Sequence, residues 1–183
     1  MKQSKSIKRT VIFTLLIFLA AFIGLPTAHG YLHPADPLIL LAAILLPTPY
    51  ALAAAGIGSL FADVLKGYVS LAPVTLLIKL LMVAAAKGLL RLPAAKKHPE
   101  CMAAPAAMVP VIGYYLAELL RLLFAGSGGK AFLQAAGTLQ KDLVQAAGSV
   151  LLFILIYDFY KGIKGGRAEI RHQKELAERK NKS

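Results

Sequence analysis

Six apolar stretches make up most of this 183-residue chain, and they limit what it can fold into. They cover residues 11–25, 38–46, 50–65, 71–90, 103–124 and 143–159. The chain is 57% hydrophobic, above the roughly half that soluble domains carry. A helix needs roughly 20 apolar residues to cross a bilayer, and a helix satisfies its own backbone hydrogen bonds inside lipid. We therefore predict an all-α membrane protein with six transmembrane helices.

The second apolar stretch, residues 38–46, is short for a full crossing. Pro47 and Pro49 follow it in the segment LLPTPY, and proline cannot continue a helix because it lacks an N–H. A hairpin of helices two and three that enters the membrane only halfway is therefore an alternative to two full crossings.

The basic residues are divided unevenly between the two sides of the membrane. With six crossings, both chain ends lie on the side that collects sixteen of the 21 Lys and Arg residues, and the opposite side holds four. Short cytoplasmic loops hold the positive charge, so we predict that both termini are cytoplasmic. Residues 1–160 then form the six-helix domain, and residues 161–183 form a basic cytoplasmic tail. The net charge of +12 reflects this topology and attraction to anionic membrane lipid, with no aromatic interleaving that would indicate a nucleic-acid partner.

Motifs for common catalytic and cofactor chemistry are absent from the sequence. No GxxxxGKS/T phosphate loop is present, so active transport would draw its energy from another subunit. The His and Cys residues lack the spacing of metal ligands, and neither GxSxG nor HExxH occurs. We predict no enzyme activity, no metal and no cofactor.

Ionisable and amide side chains gather at one depth of the predicted helices. Lys79 lies six residues past Pro73, about 9 Å along a helix axis, which places it in the outer half of its span. Asp36 opens helix two from outside, and helices five and six carry polar residues at helical spacing near their outer ends. An ionisable group within a membrane marks a functional site by default, so we predict a small polar pocket that opens outward. The candidate site residues are Asp36, Lys79, Tyr114, Glu118, Asp142 and Gln145.

Structural roles are an alternative for several polar residues. Arg121 can pair with Glu118 three residues earlier, and Asp63 can neutralise Lys79 as a link between helices. Lys66 can extend its ammonium group to the membrane interface.

Small residues recur four positions apart, a spacing that lets helix backbones approach closely. The pairs are Ala20 with Gly24, Ala51 with Ala55, and Ala54 with Gly58. Internal packing accounts for such pairs, and an exposed stripe on helix one would also suit a partner subunit.

Residues 29–82 carry a series of motifs that resembles a known family. The segment HGYLHPADPLILLAAILLPTPYALAAAGIGSLFADVLKGYVSLAPVTLLIKLLM is similar to the first loop, the hairpin and the Gly-Tyr…Ala-Pro-x-Thr-Leu-x-x-Lys segment of the substrate-binding S components of energy-coupling-factor (ECF) vitamin transporters. The segments GYYLAELL and DLVQAAGS continue the resemblance less closely. The resemblance is to the branch of this family that includes riboflavin-, hydroxymethylpyrimidine- and pyridoxine-type members.

The resemblance implies a six-helix S-component fold in a bacterial cell membrane. Such proteins capture a vitamin from outside and release it inward, together with a transmembrane T subunit and two cytosolic ATPase subunits. By the same resemblance, substrate binding falls to Asp36, Lys79, Tyr114, Glu118 and Gln145, and docking of the T subunit falls to Ala20 and Gly24. Relatives often have Asn-x-x-Gln where this chain has Asp142-Leu-Val-Gln145, and a carboxylate there prefers a donor-rich or cationic partner.

The sequence therefore favours a subunit that binds a small polar, heterocyclic vitamin or precursor. Tyr114 could stack on the ring, Lys79 and Gln145 could donate hydrogen bonds, and Asp142 or Glu118 could accept them. One alternative is an intramembrane enzyme that uses Glu118 or Asp142 as a general base on a lipid or small substrate. Another is a structural or assembly protein in which Lys79 only supports folding.

Overall fold

The computed structural model describes residues 2–27 and 30–180. His29, which begins the stretch that resembles a known family, lies outside the described residues, as do residues 181–183 of the expected tail. The elements are α1 (Lys2–Phe22), β1 (Leu25–Thr27), β2 (Gly30–Leu32), α2 (Ala35–Leu45), α3 (Thr48–Leu65), α4 (Ala72–Leu89), α5 (Pro93–Lys97), α6 (Ala103–Phe124), α7 (Ala131–Ala136) and α8 (Leu139–Lys180), with short 3-10 helices at Pro99–Met102 and Gly128–Lys130. Strands β1 and β2 pair antiparallel, with Leu25 opposite Leu32.

Each of the six apolar stretches forms a helix, which confirms the prediction of a helical fold apart from the small β1–β2 hairpin. Within the described residues, four helical segments are long and apolar enough to cross a bilayer: Thr48–Leu65, Ala72–Leu89, Pro99–Phe124 and Gly128–Arg167. Helix α2 is apolar but has only 11 residues. Large apolar side chains such as Leu15, Leu77 and Ile112 are more than half exposed, as expected for surfaces that face lipid.

Proline and glycine set the ends of the helices around the site. Leu46 leaves α2 in an extended conformation, and Pro47 and Pro49 begin α3. Gly67 ends α3 with a φ of 85°, which a residue with a Cβ rarely adopts. The N–H of Tyr68 then donates to the carbonyl of Asp63 at 2.9 Å, the pattern of a Schellman motif. This turn brings α4 back alongside α3.

The chain divides into two compact units, Met1–Phe153 and Ile154–Ser183. In the first unit, α3 packs on one side against α1 and on another against α4, and α4 in turn packs against α6. A Cβ built at Gly58 would lie 2.8 Å from the carbonyl oxygen of Thr14, and one at Gly56 would lie 2.8 Å from Leu76. Ala51, Ala54 and Ala55 are fully buried. The small residues of α3 thus serve internal packing, as their spacing predicts.

Two lysines hold the ends of neighbouring helices. Lys66 donates to the carbonyl of Ala21 near the end of α1, at 2.7 Å. Lys87 donates to the carbonyl of Leu46 at the end of α2, at 2.6 Å. Carbonyl groups in the last turn of a helix have no partner within the helix, so a cation placed there stabilises the helix end.

The second unit is helical through Lys180. Within it, the Tyr157 and Tyr160 rings stack at 6.4 Å, and the Lys161 ammonium lies 2.7 Å from Asp158.

Candidate functional site

A cavity of about 310 Å³ lies in the first unit, among residues of α2, α4, α6 and the start of α8. The polar residues that line it are His33, Asp36, Asp63, Tyr68, Thr75, Lys79, Tyr114, Lys141, Asp142 and Gln145. Leu71, Ala107, Pro110 and Ala146 supply apolar surface. A cavity with apolar walls and a few convergent polar groups is the usual form of a small-molecule site, and its volume lies at the lower end of the common range of about 300–1,000 Å³.

Lys79 and Asp36 form a buried ion pair at one wall of this cavity. The Lys79 Nζ lies 2.5 Å from Asp36 Oδ1, and the two side chains are 1% and 3% exposed. Asp36 lies in the first turn of α2, where the positive end of the helix dipole favours a carboxylate. The prediction that Lys79 lies at pocket depth agrees with this geometry, but the alternative of Asp63 as its ion-pair partner is wrong. Asp63 lines the same cavity, and the ammonium group pairs with Asp36 instead.

Tyr114 lies beside this ion pair. The Lys79 Nζ lies 5.6 Å from the centre of the Tyr114 ring, within the range of a cation–π contact. The Tyr114 hydroxyl donates to Thr75 Oγ1 at 3.4 Å. Thr75 and Lys79 are four residues apart on α4 and therefore share a face of that helix. The ring and the ammonium together form a wall that can contact a planar ligand.

Gln145 joins α8 to the segment before α2. Its Nε2 donates to the carbonyl oxygen of His33 at 2.8 Å, and its Oε1 accepts from the N–H of His33 at 3.1 Å. The Gln145 amide therefore uses a donor and an acceptor on backbone groups 112 positions away in sequence. Gln145 lines the cavity as predicted, and its amide also fixes the position of His33.

His33 lines the cavity and lies outside the four candidate spans. Burial lowers the pKa of His33 from 6.5 to about 4; nearby Asp36 opposes this shift, and Lys79, Lys66 and Lys141 add to it. The ring is thus neutral near pH 7, with one nitrogen that donates a hydrogen bond and one that accepts.

Asp142 lies at the start of α8 with a side chain that is 6% exposed. Its Oδ1 lies 3.1 Å from the ammonium group of Lys141, which is 24% exposed. Its Oδ2 is buried and accepts no hydrogen bond from the residues that the structure describes. Buried polar atoms normally have partners, so Asp142 Oδ2 is an exception among the described residues, as is the Ser59 hydroxyl.

Glu118 is the one predicted binding residue that does not line this cavity. The Arg121 guanidinium donates two hydrogen bonds of 2.8 and 2.6 Å to the Glu118 carboxylate. This is the structural alternative from the sequence, in which Arg121 pairs with Glu118. The two residues line a second hollow of about 420 Å³, which shares Tyr114, Lys141 and Asp142 with the first cavity. Glu118 is separated from the cavity because it lies one helical turn beyond Tyr114 on α6.

The two small residues expected to dock a partner do not form one helical stripe. Helix α1 ends at Phe22, so Gly24 lies beyond the helix, whereas Ala20 lies within it. Both are half-buried.

Five polar residues of the cavity were not binding candidates in the sequence analysis: His33, Asp63, Tyr68, Thr75 and Lys141. Thr75 carried a usable signal, because it lies one helical turn before Lys79 on the same face. His33 carried a weaker signal in its position three residues before Asp36.

A family model described as "ECF-type riboflavin transporter, S component" matches residues 3–162. The match includes every residue that lines the cavity. No curated protein sequence matches the chain.

Proposed function

Because the chain belongs to the family of S components of ECF-type riboflavin transporters, we propose that it captures a water-soluble vitamin or vitamin precursor of the riboflavin, pyridoxine or hydroxymethylpyrimidine class. Members of this family are substrate-binding subunits of transporters and not enzymes. The ligand enters from outside the cell, and the protein releases it inward when joined to a T subunit and two cytosolic ATPase subunits.

The observation that carries this proposal is the polar cavity enclosed by apolar helices. Asp36, Lys79, Tyr114, Asp142 and Gln145 meet there from four separate helices. Burying charged groups in an apolar setting costs free energy, and sites that bind polar ligands are one reason for membrane proteins to retain such groups. In the proposed complex, the Tyr114 ring contacts the heterocycle, and Lys79 and Asp142 offer a donor and an acceptor to its edge.

The arrangement in the membrane is also part of the proposal. Helices α1, α2, α3, α4, α6 and α8 make six crossings, with both termini in the cytoplasm of a bacterial cell. The positive charge concentrated at the chain ends and in the segment between α4 and α6 supports this orientation. Residues 1–160 form the binding domain, and the basic residues 161–183 form a cytoplasmic tail beside anionic lipid.

The experiment that tests the proposal is purification of the full chain in detergent, followed by mass spectrometry of any bound small molecule. Calorimetric titration with riboflavin, pyridoxine and hydroxymethylpyrimidine then measures affinity. We expect one of these classes to bind tightly at one site per chain. A folded protein that binds no member of the panel would count against a vitamin-binding role.

A further inference from the structure

The connection between α6 and α8 carries large apolar side chains that face away from the protein. Phe124 ends α6 and is 91% exposed, and Phe132 and Leu133 on α7 are 56% and 85% exposed. Exposure of such side chains to water is unfavourable, so their surroundings decide how the connection is stabilised.

The orientation of α7 is fixed by its small residues. Gly126 turns the chain after α6 with a φ of 79°, and Ala131 and Ala135 are then fully buried against Leu119 and Leu122 of α6. Successive residues of a helix are about 100° apart, so the two residues that follow Ala131 point to the side and away from α6. With six residues, α7 is too short to cross a membrane. It therefore lies against the end of α6 with its large apolar side chains outward.

The lipid-facing stripe of α6 leads to this connection. Ile112, Leu116 and Leu120 are each about half exposed and lie four residues apart, on one face of a helix long and apolar enough to cross a bilayer. Leu123 and Phe124 follow at the end of this stripe, and both are exposed. The apolar surface of the span thus continues to the last residue of α6.

The charge of the connection suits phospholipid headgroups. Residues 122–140 contain Lys130 as their single charged residue, and Lys130 is exposed directly before α7. Arg121 and Lys141 come directly before and after this segment, so no carboxylate lies between residues 119 and 141. Cations beside exposed Phe and Leu side chains are typical of a segment that lies in the membrane interface.

We propose that α7 and the end of α6 form an interfacial anchor, in which Phe124, Phe132 and Leu133 enter the boundary between the headgroups and the acyl chains. The depth expected for such a segment is about 5–10 Å. Lys130 lies beside the lipid phosphates. The partner is the phospholipid surface, because the three side chains continue a lipid-facing stripe and are flanked by cations. The anchor goes beyond the proposed function, since it does not depend on the ligand that the cavity binds.

Fluorescence tests the anchor, because the chain contains no tryptophan and a single introduced one reports its own surroundings. Phe124→Trp and Leu133→Trp are made in the full chain and reconstituted in phosphatidylcholine vesicles. Gln134→Trp is the matched control, at an exposed polar position on α7. In the first two variants, we expect emission at shorter wavelength and loss of emission with lipids brominated in the upper part of the acyl chain. In the control, we expect emission at longer wavelength and loss of emission with iodide, which is supplied on both sides of the vesicles.

Iodide quenching of Phe124→Trp and Leu133→Trp as strong as that of the control, without quenching by brominated lipid, would overturn the anchor. Short-wavelength emission that neither agent quenches would also overturn it, because a second copy of the chain or another protein would then cover these positions. Ligand binding by the same variants is measured separately by calorimetry, so a failure of the vitamin-binding function is distinguished from a failure of the anchor.

Discussion

Lys79 on α4 and Asp36 on α2 form an ion pair of 2.5 Å that is almost entirely buried, although 43 positions separate them in sequence. The pair joins two helices at the wall of the candidate site, so it affects both stability and ligand binding. Each charge makes the other tolerable in an apolar environment.

Replacement of Lys79 by Met is expected to destabilise the protein, because Asp36 is left buried without its counter-charge. The expected cost is about 3–5 kcal/mol, the range for breaking a buried pair. The double variant Asp36→Leu/Lys79→Met is expected to recover most of this loss, since no uncompensated charge remains. Thermal unfolding in detergent measures both.

The matched control is Lys161→Met, which breaks the exposed pair with Asp158 and is expected to change stability by less than about 1 kcal/mol. Equal destabilisation by Lys79→Met alone and by the double variant would show that the charge balance is not the cause.

The low pKa of His33 predicts a loss of stability in acid. The unfolded chain takes up a proton near pH 6.5, whereas the folded protein does so only near pH 4. The free energy of unfolding should therefore fall as the pH decreases from 6.5 to 4, by up to about 1.4 kcal/mol for each pH unit. Below pH 4, His33 is protonated in both states and should cause no further change.

Other groups titrate in the same range, so the measurement is the difference between wild type and His33→Gln across pH 4–7. The unfolding temperature of the variant should depend less on pH. Parallel pH profiles for the two proteins would contradict the assignment.

Gly58 is expected to be intolerant of even one added methyl group. A Cβ there would lie 2.8 Å from the Thr14 carbonyl oxygen and 3.0 Å from Ile17, and both atoms belong to the packed helix α1. Gly58→Ala should cost about 1–3 kcal/mol through overpacking.

Gly88→Ala is the matched control, because a Cβ at this helical position meets no atom within 4 Å. It should be neutral or slightly stabilising, since alanine favours a helix more than glycine does. Thermal unfolding in detergent compares the two variants, and similar midpoints would mean that α1 and α3 are not in close contact.

Cys101 reports the orientation of the chain, because it is exposed and is the single cysteine of the sequence. If the segment between α4 and α6 is cytoplasmic, a membrane-impermeant thiol reagent should label Cys101 in inside-out vesicles and leave it unlabelled in intact cells. Ser70→Cys in a Cys101→Ser background should show the opposite pattern, since residue 70 lies in the exposed turn before α4. Labelling of both from the same side would contradict the proposed topology.

Bulky substitutions of Ala20 and Gly24 test the proposed docking of the T subunit. The double variant Ala20→Leu/Gly24→Leu should bind ligand as the wild type does but lose uptake in cells that express the other subunits. Ala104→Leu, at an exposed position on α6, provides the control and should retain uptake. Uptake by the double variant would exclude these residues as the docking surface.

Much of the helical fold could be predicted from local pattern. The apolar stretches matched the principal helices because the length and composition of each segment decide whether it forms a helix in an apolar solvent. Part of the cavity lining could be predicted for a similar reason. Asp142 and Gln145 are three residues apart and share a face of α8, which is a property of helical geometry alone.

The family match and the chemical types in the polar layer also follow from the sequence by itself. Only the tertiary structure decided that Lys79 pairs with Asp36, that Glu118 is turned to a second hollow, and that Gln145 holds the backbone of His33. These contacts depend on the distances between helices far apart in the chain. Helical periodicity gives the face on which a residue lies, but close packing of small residues such as Gly58 sets which faces meet and at what depth.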